Sequence, residues 1–113
     1  MESVFEATVS RIDEGSVVVM SGTVNRAAKQ ALEDAYTEAA TQPGKILMDF
    51  RAVDYINSTG IAVIVGVLAM ARAEEREVGA FGLTDHYREV FNITRLSDFM
   101  TIYENETAAA AAG

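Results

Sequence analysis

Cysteine is absent from this 113-residue chain, which excludes a disulfide framework and thiolate chemistry. The absence fits a reducing compartment, and the cytoplasm is the expected location. Histidine occurs once, at His86, so a catalytic triad or histidine metal site would rest on that residue alone. A place at the surface or at a helix start is expected for it, and no metal or other cofactor is expected. Basic residues are scarce: nine Lys and Arg stand against seventeen Asp and Glu, for a net charge of −8. Such a chain repels phosphate backbones and anionic membrane surfaces, so neither nucleic acid nor membrane is an expected partner. A protein with a basic face is easier to accommodate. The longest apolar run, residues 60–71, is well short of the roughly 20 residues that span a bilayer. No basic stretch followed by an apolar one opens the sequence, so no signal peptide is expected.

What is present is globular. Half the residues are hydrophobic and 23% are charged, and the length suits one domain with a single core. The expected boundaries are residues 1–106 for the domain and 107–113 for an Ala-rich tail that frays. With no large exposed apolar stripe left over, a monomer is expected.

Along the chain, Phe5, Ala7 and Val9 alternate with polar residues as in a half-buried strand. Asp13-Glu14-Gly15 reads as a turn and 16–20 as a second, more buried strand, the two forming a hairpin. Ser21-Gly22-Thr23 is expected to break that strand. Ala28, Leu32, Ala35, Tyr36 and Ala39 recur at three- and four-residue steps, which predicts a helix over about 25–40. Pro43 and Gly44, with Gln42, stop it. Residues 45–50 form an apolar run expected to be a strand buried on both faces. Residues 60–76 fit both strand alternation and helical spacing; their length favours a helix. A short strand follows at 78–83, which implies a right-handed parallel crossover. Asp85 is expected to cap a helix through Asn92, with Tyr87, Val90 and Phe91 inward. Phe99, Ile102 and Tyr103 make a last apolar patch, and Met20, Met48, Met70 and Met100 fill the core.

Between the 45–50 strand and the following helix lies Val53-Asp54-Tyr55-Ile56-Asn57-Ser58-Thr59-Gly60. Ser58 is expected on a strand-to-helix turn with its oxygen at the helix N-terminus. A serine there caps free backbone N–H groups. A phosphate added to it would meet the same N–H groups and the positive end of the helix dipole. On spacing alone both uses stay open, and the cap is the commoner. Asp49, at the end of a buried strand, has the look of a phosphoacceptor, but acidic Mg²⁺ ligands after the first buried strand and a late lysine are both missing. No nucleophile–base pair can be assembled near Ser58, so an enzyme is not expected.

The run Lys45-Ile46-Leu47-Met48-Asp49-Phe50, followed by 53–66, resembles the signature of the anti-sigma factor antagonists, the stand-alone STAS domains. The family pattern is an apolar strand, a short loop and Asp-Ser-Ser/Thr-Gly-Leu/Ile-Gly/Ala opening an apolar helix. The resemblance implies an α/β, STAS-like fold: a small mixed β-sheet of about four to five strands with three to four packed helices. It implies a regulator that binds an anti-sigma factor, itself a serine kinase, and releases it once Ser58 is phosphorylated; a serine phosphatase resets the protein. Asn25, Asn57, Thr59 and Gly60 are then expected to contact the partner beside Ser58. The chain departs from the pattern in three places. Asn57 replaces an Asp. Gly22-Thr23-Val24-Asn25 replaces Gly-Glu-Leu-Asp, which makes both acidic positions neutral. Ile93-Thr94-Arg95-Leu96 replaces Leu-Thr-Gly-Leu, with the Gly lost. Two other STAS readings remain: a sensory or scaffolding protein that is never phosphorylated, and a carrier of a lipid or nucleotide near the Ser58 turn.

Overall fold

Buried residues along the central strands alternate between two sets, and the sets face opposite ways. Val18, Met20, Ile46, Met48, Phe50, Val78 and Ala80 belong to one apolar cluster. Val17, Leu47 and Phe81 belong to another. A strand with both faces buried needs a cover on each side. The computed structural model describes residues 3–111 and shows how this is done.

The strands are β1 (Glu6–Ile12), β2 (Gly15–Val24), β3 (Lys45–Ile56), β4 (Val78–Phe81) and β5 (Thr101–Ile102), in the sheet order β1-β2-β3-β4-β5. β1 and β2 pair antiparallel as a hairpin, and the remaining pairs are parallel. The helices are α1 (Lys29–Ala40), α2 (Ser58–Ala73), α3 (Asp85–Ile93) and α4 (Glu106–Ala111). This is the mixed α/β fold expected from the sequence.

The larger cluster lies between one sheet face and helices α1, α2 and α3. Leu32, Tyr36 and Ala39 come from α1, Ile64, Val67 and Leu68 from α2, and Phe91 from α3. Phe91 meets Phe50 edge-on, with ring centroids 5.6 Å apart. The opposite face is covered by Tyr103 and by Ala109 of α4. Arg51 ties this side together: its guanidinium pairs with Asp49 at 2.8 Å and with Glu106 at 3.3 Å, and lies over the Phe81 ring. Asp49 is thus a buried structural anion.

Several sequence expectations need correction. Ser21-Gly22-Thr23 does not break β2. Gly22 adopts φ +85°, and the strand continues past it with irregular register against β3. The loop expected after Phe50 is the second half of β3, which pairs with Ala52, Val53, Tyr55 and Ile56 against β2. Residues 106–111 do not fray: they form α4, where the Ala109 carbonyl accepts a 2.6 Å hydrogen bond from Lys45 Nζ. The rest of the expected tail, 112–113, lies outside the described residues. Thr84, not Asp85, caps α3, its hydroxyl accepting from the Tyr87 N–H at 3.3 Å. Arg95, at the position of the lost glycine, holds the left-handed conformation with φ +67° and ψ +15°. Finally, Tyr55, Val65, Ile93 and Phe99 remain exposed, so the surface is less free of apolar side chains than expected.

Candidate functional site

One residue separates β3 from α2. Asn57 is extended, with φ −93° and ψ −178°, and it is the N-cap of the helix. Its Oδ1 accepts from the Gly60 N–H at 2.8 Å and from the Thr59 hydroxyl at 2.7 Å. Ser58, expected as the cap, is therefore the first helical residue instead. It is exposed, and its hydroxyl makes no hydrogen bond among the described residues.

The residues expected around Ser58 do come together, though they are occupied with holding two chain junctions in register. The other junction links β2 to α1 through a single 3-10 turn, Arg26–Ala28. There Asn25 Oδ1 accepts from the Ala27 N–H at 2.9 Å. The Thr59 hydroxyl accepts from the Arg26 N–H at 3.1 Å, and the Asn57 N–H donates to the Val24 carbonyl at 3.3 Å. Gly60 is buried beneath that carbonyl: a Cβ there would lie 1.9 Å from the Val24 oxygen. Gly60 thus corrects the expectation of a partner contact, because its role is to let two backbones touch. Asn57 and Thr59 are half-buried, with their side chains facing inward partners. Ser58 alone of the five is exposed with an uncommitted polar group.

Ser58 opens onto a cleft of about 370 Å³ between the end of β3, the start of α2 and α3, walled by Tyr55, Ile61, His86, Tyr87 and Val90. The sequence gave no sign of this cleft, since α3 is brought to it by one tertiary bond. The Ile56 N–H donates to the Tyr87 hydroxyl at 2.9 Å. His86, exposed as expected, meets Tyr87 edge-on at 4.9 Å between ring centroids. Among the described residues no cluster of His, Asp and Glu could hold a metal ion, and no helix is long and apolar enough to cross a membrane.

A mixed five-stranded sheet and a free hydroxyl at the start of its central helix define a small α/β domain with one chemically open surface position. The chain belongs to the STAS domain family: residues 7–102 match the family model described as Mlab, STAS domain. It is 32% identical over 109 residues to BtrV of Bordetella bronchiseptica, assigned as an anti-sigma factor antagonist, covering 93% of this chain and 91% of that one. An anti-sigma factor antagonist from Mycobacterium paratuberculosis has a similar fold, with a TM-score of 0.79 at 23% identity, covering 96% of this chain and 93% of the other. So does the Bacillus cell fate determinant SpoIIAA in its phosphorylated form, with a TM-score of 0.66 at 17% identity over 91% of this chain and 96% of the other.

Proposed function

We propose that this protein is an anti-sigma factor antagonist that works in the cytoplasm by partner switching. Unmodified, it binds an anti-sigma factor that is also a serine kinase. Phosphorylation of Ser58 ends the complex, and a serine phosphatase restores it. The observation that carries this reading is the division of labour at the start of α2. Asn57 does the capping, and Ser58 is left exposed with a free hydroxyl. Thr59 is the poorer acceptor, because its hydroxyl already donates to Asn57 and accepts from Arg26. A relative named for this activity supports the reading, as does a neighbour of similar fold in a phosphorylated form.

The mechanism is local. A phosphate adds about −1.5 to −2 charges at neutral pH and a volume that a dry interface cannot absorb. The surface around Ser58 is largely apolar, with Tyr55, Ile61 and Val90 lining the adjoining cleft, so a partner seated there would have to bury that charge.

The test uses the cognate kinase and ATP, followed by mapping of the modified peptide. Modification is expected at Ser58 and lost in Ser58→Ala; modification that survives in that variant overturns the assignment. By titration calorimetry, Ser58→Ala should keep partner affinity. Ser58→Asp should lose a few kcal/mol, the scale of an unpaired charge in an interface. Equal affinities for the two variants would remove the switch.

A further inference from the structure

Of the side chains that line the Ser58 cleft, one can carry positive charge. Tyr55, Ile56, Asn57, Ile61, Tyr87, Val90 and Thr94 are apolar or neutral polar, and the remaining one is His86. The charged groups on the surrounding elements are Asp54 on β3 and Asp85, Arg88 and Glu89 on α3, and none of them lines the cleft. Helix α2 has no charged residue before Arg72. Arg26 lies across the turn, in a separate groove with Lys29, Thr59 and Ala62.

The position of His86 is fixed, not incidental. Tyr87, its neighbour, hydrogen-bonds the Ile56 backbone two residues before Ser58, and Thr84 sets the start of α3 by capping it. The imidazole leans on the Tyr87 ring. This places the chain's one histidine at the mouth of the cleft that Ser58 opens onto.

We propose that His86 is the phosphate-holding residue of the modified protein: its ring N–H donates to the phosphate on Ser58 and keeps it over the cleft. This rests on the reading of Ser58 as the modified residue. Imidazole donates one N–H when neutral and two when protonated, and a phosphate offers three acceptor oxygens. A phosphate held there spans the apolar cleft between Ile61 and Val90, so the modified form both carries charge and covers the cleft. His86 is then a positioning residue for the off state and plays no part in phosphoryl transfer.

The test needs no kinase. Phosphoserine is incorporated genetically at position 58, and the 31P resonance of the full chain is titrated. In the wild type the midpoint for the second phosphate proton should fall about 0.5 unit or more below that of His86→Ala, since a donor favours the dianion. His86→Gln, a neutral donor, should fall between them. The His86 ring resonances, assignable because the residue is unique, should move when the phosphate is present. As a control, phosphoserine at the exposed Ser10 should titrate identically with and without His86. Equal midpoints at position 58 in wild type and His86→Ala overturn the proposal, as does a shift that follows Arg26→Ala instead. Because the phosphate is installed directly, a kinase that fails to modify Ser58 refutes the function proposed above and leaves this result standing.

Discussion

Two glycines in α2 should respond to alanine in opposite directions. In a helix interior, Gly→Ala ordinarily gains about 1 kcal/mol, because glycine loses more backbone entropy on folding. Gly66 meets that condition: a Cβ there has nothing within 4 Å. Gly66→Ala should therefore stabilise the protein by about 0.5–1 kcal/mol. At Gly60 the added carbon would lie 1.9 Å from the Val24 oxygen and 2.6 Å from its carbon. Both atoms are backbone, so no rotamer change relieves the overlap, and about 1 Å of displacement must come from moving α2 off β2. Movement there strains the Asn57 N–H to Val24 bond and the Thr59 contact to Arg26. Overpacking of this kind costs about 1–3 kcal/mol, and the rigid neighbour puts this site at the upper end. The propensity gain offsets only part, leaving Gly60→Ala less stable by about 2 kcal/mol, or a Tm lower by roughly 8 °C. Urea unfolding with a common m-value measures both variants. A Gly60→Ala protein as stable as the wild type would refute the close contact between the two junctions, and with it the account of why Ser58 is held where it is.

Three further outcomes follow from other parts of the molecule. Arg95→Gly should stabilise the protein by about 1 kcal/mol in urea unfolding, because it relieves a left-handed backbone that arginine adopts at a cost; an unchanged midpoint would show that the strain is absorbed. Burial and the 2.5 Å hydrogen bond to Glu74 push the Tyr36 hydroxyl up from 10.0 to about 12. The folded state holds that proton more tightly than the unfolded one, so the stabilisation is fully present below pH 10 and is lost as pH rises through 12; unfolding midpoints followed from pH 9 to 12 should fall more steeply in the wild type than in Tyr36→Phe. Asn57→Asp, alone and with Asn25→Asp, should raise the single-turnover rate of Ser58 phosphorylation, since acids at these two caps could orient the hydroxyl or a kinase-bound metal, while affinity of the unmodified form stays nearly unchanged; rates at or below wild type would reject it.

The features legible in the sequence are those written in local pattern. The α1 stripe, the hairpin and the apolar 45–50 run each carry their own period, and the structure places them as read. The length of 58–73 decides for a helix where periodicity alone is ambiguous. The second half of β3 is invisible in this way: Arg51, Ala52, Asp54 and Tyr55 are exposed, and β2 alone makes the segment a strand by pairing with it past a register shift. The docking of α4 was half legible. A run buried on both faces demands a second cover, but a row of alanines does not announce what it packs against. Phe81 and Leu47 leave the shallow seat that Ala109 fills. At the site, the sequence located the turn and missed the division of roles within it. Asn and Ser are equally good caps, and only the extended backbone at residue 57 decides between them.

That one-residue difference bears on how a switch at this position can operate. Were Ser58 the cap, a phosphate on its oxygen would remove the acceptor that serves the first turn of α2, and modification would cost about 1 kcal/mol of fold stability. With Asn57 capping, the Gly60 N–H and the Thr59 hydroxyl keep their acceptor whatever is attached to Ser58. A phosphate on the first helical residue would instead sit at the positive end of the α2 dipole, where an anion gains about 0.3–1 kcal/mol. The modified chain is then at least as stable as the unmodified one, and its release from a partner has to arise in the interface and not from local unfolding. The same geometry explains why the neighbours of Ser58 are poor places for partner contacts: Thr59 and Gly60 are occupied with joining α2 to the β2 junction. Recognition must fall on what stays exposed around the serine, namely the walls of the cleft and the outer face of α2.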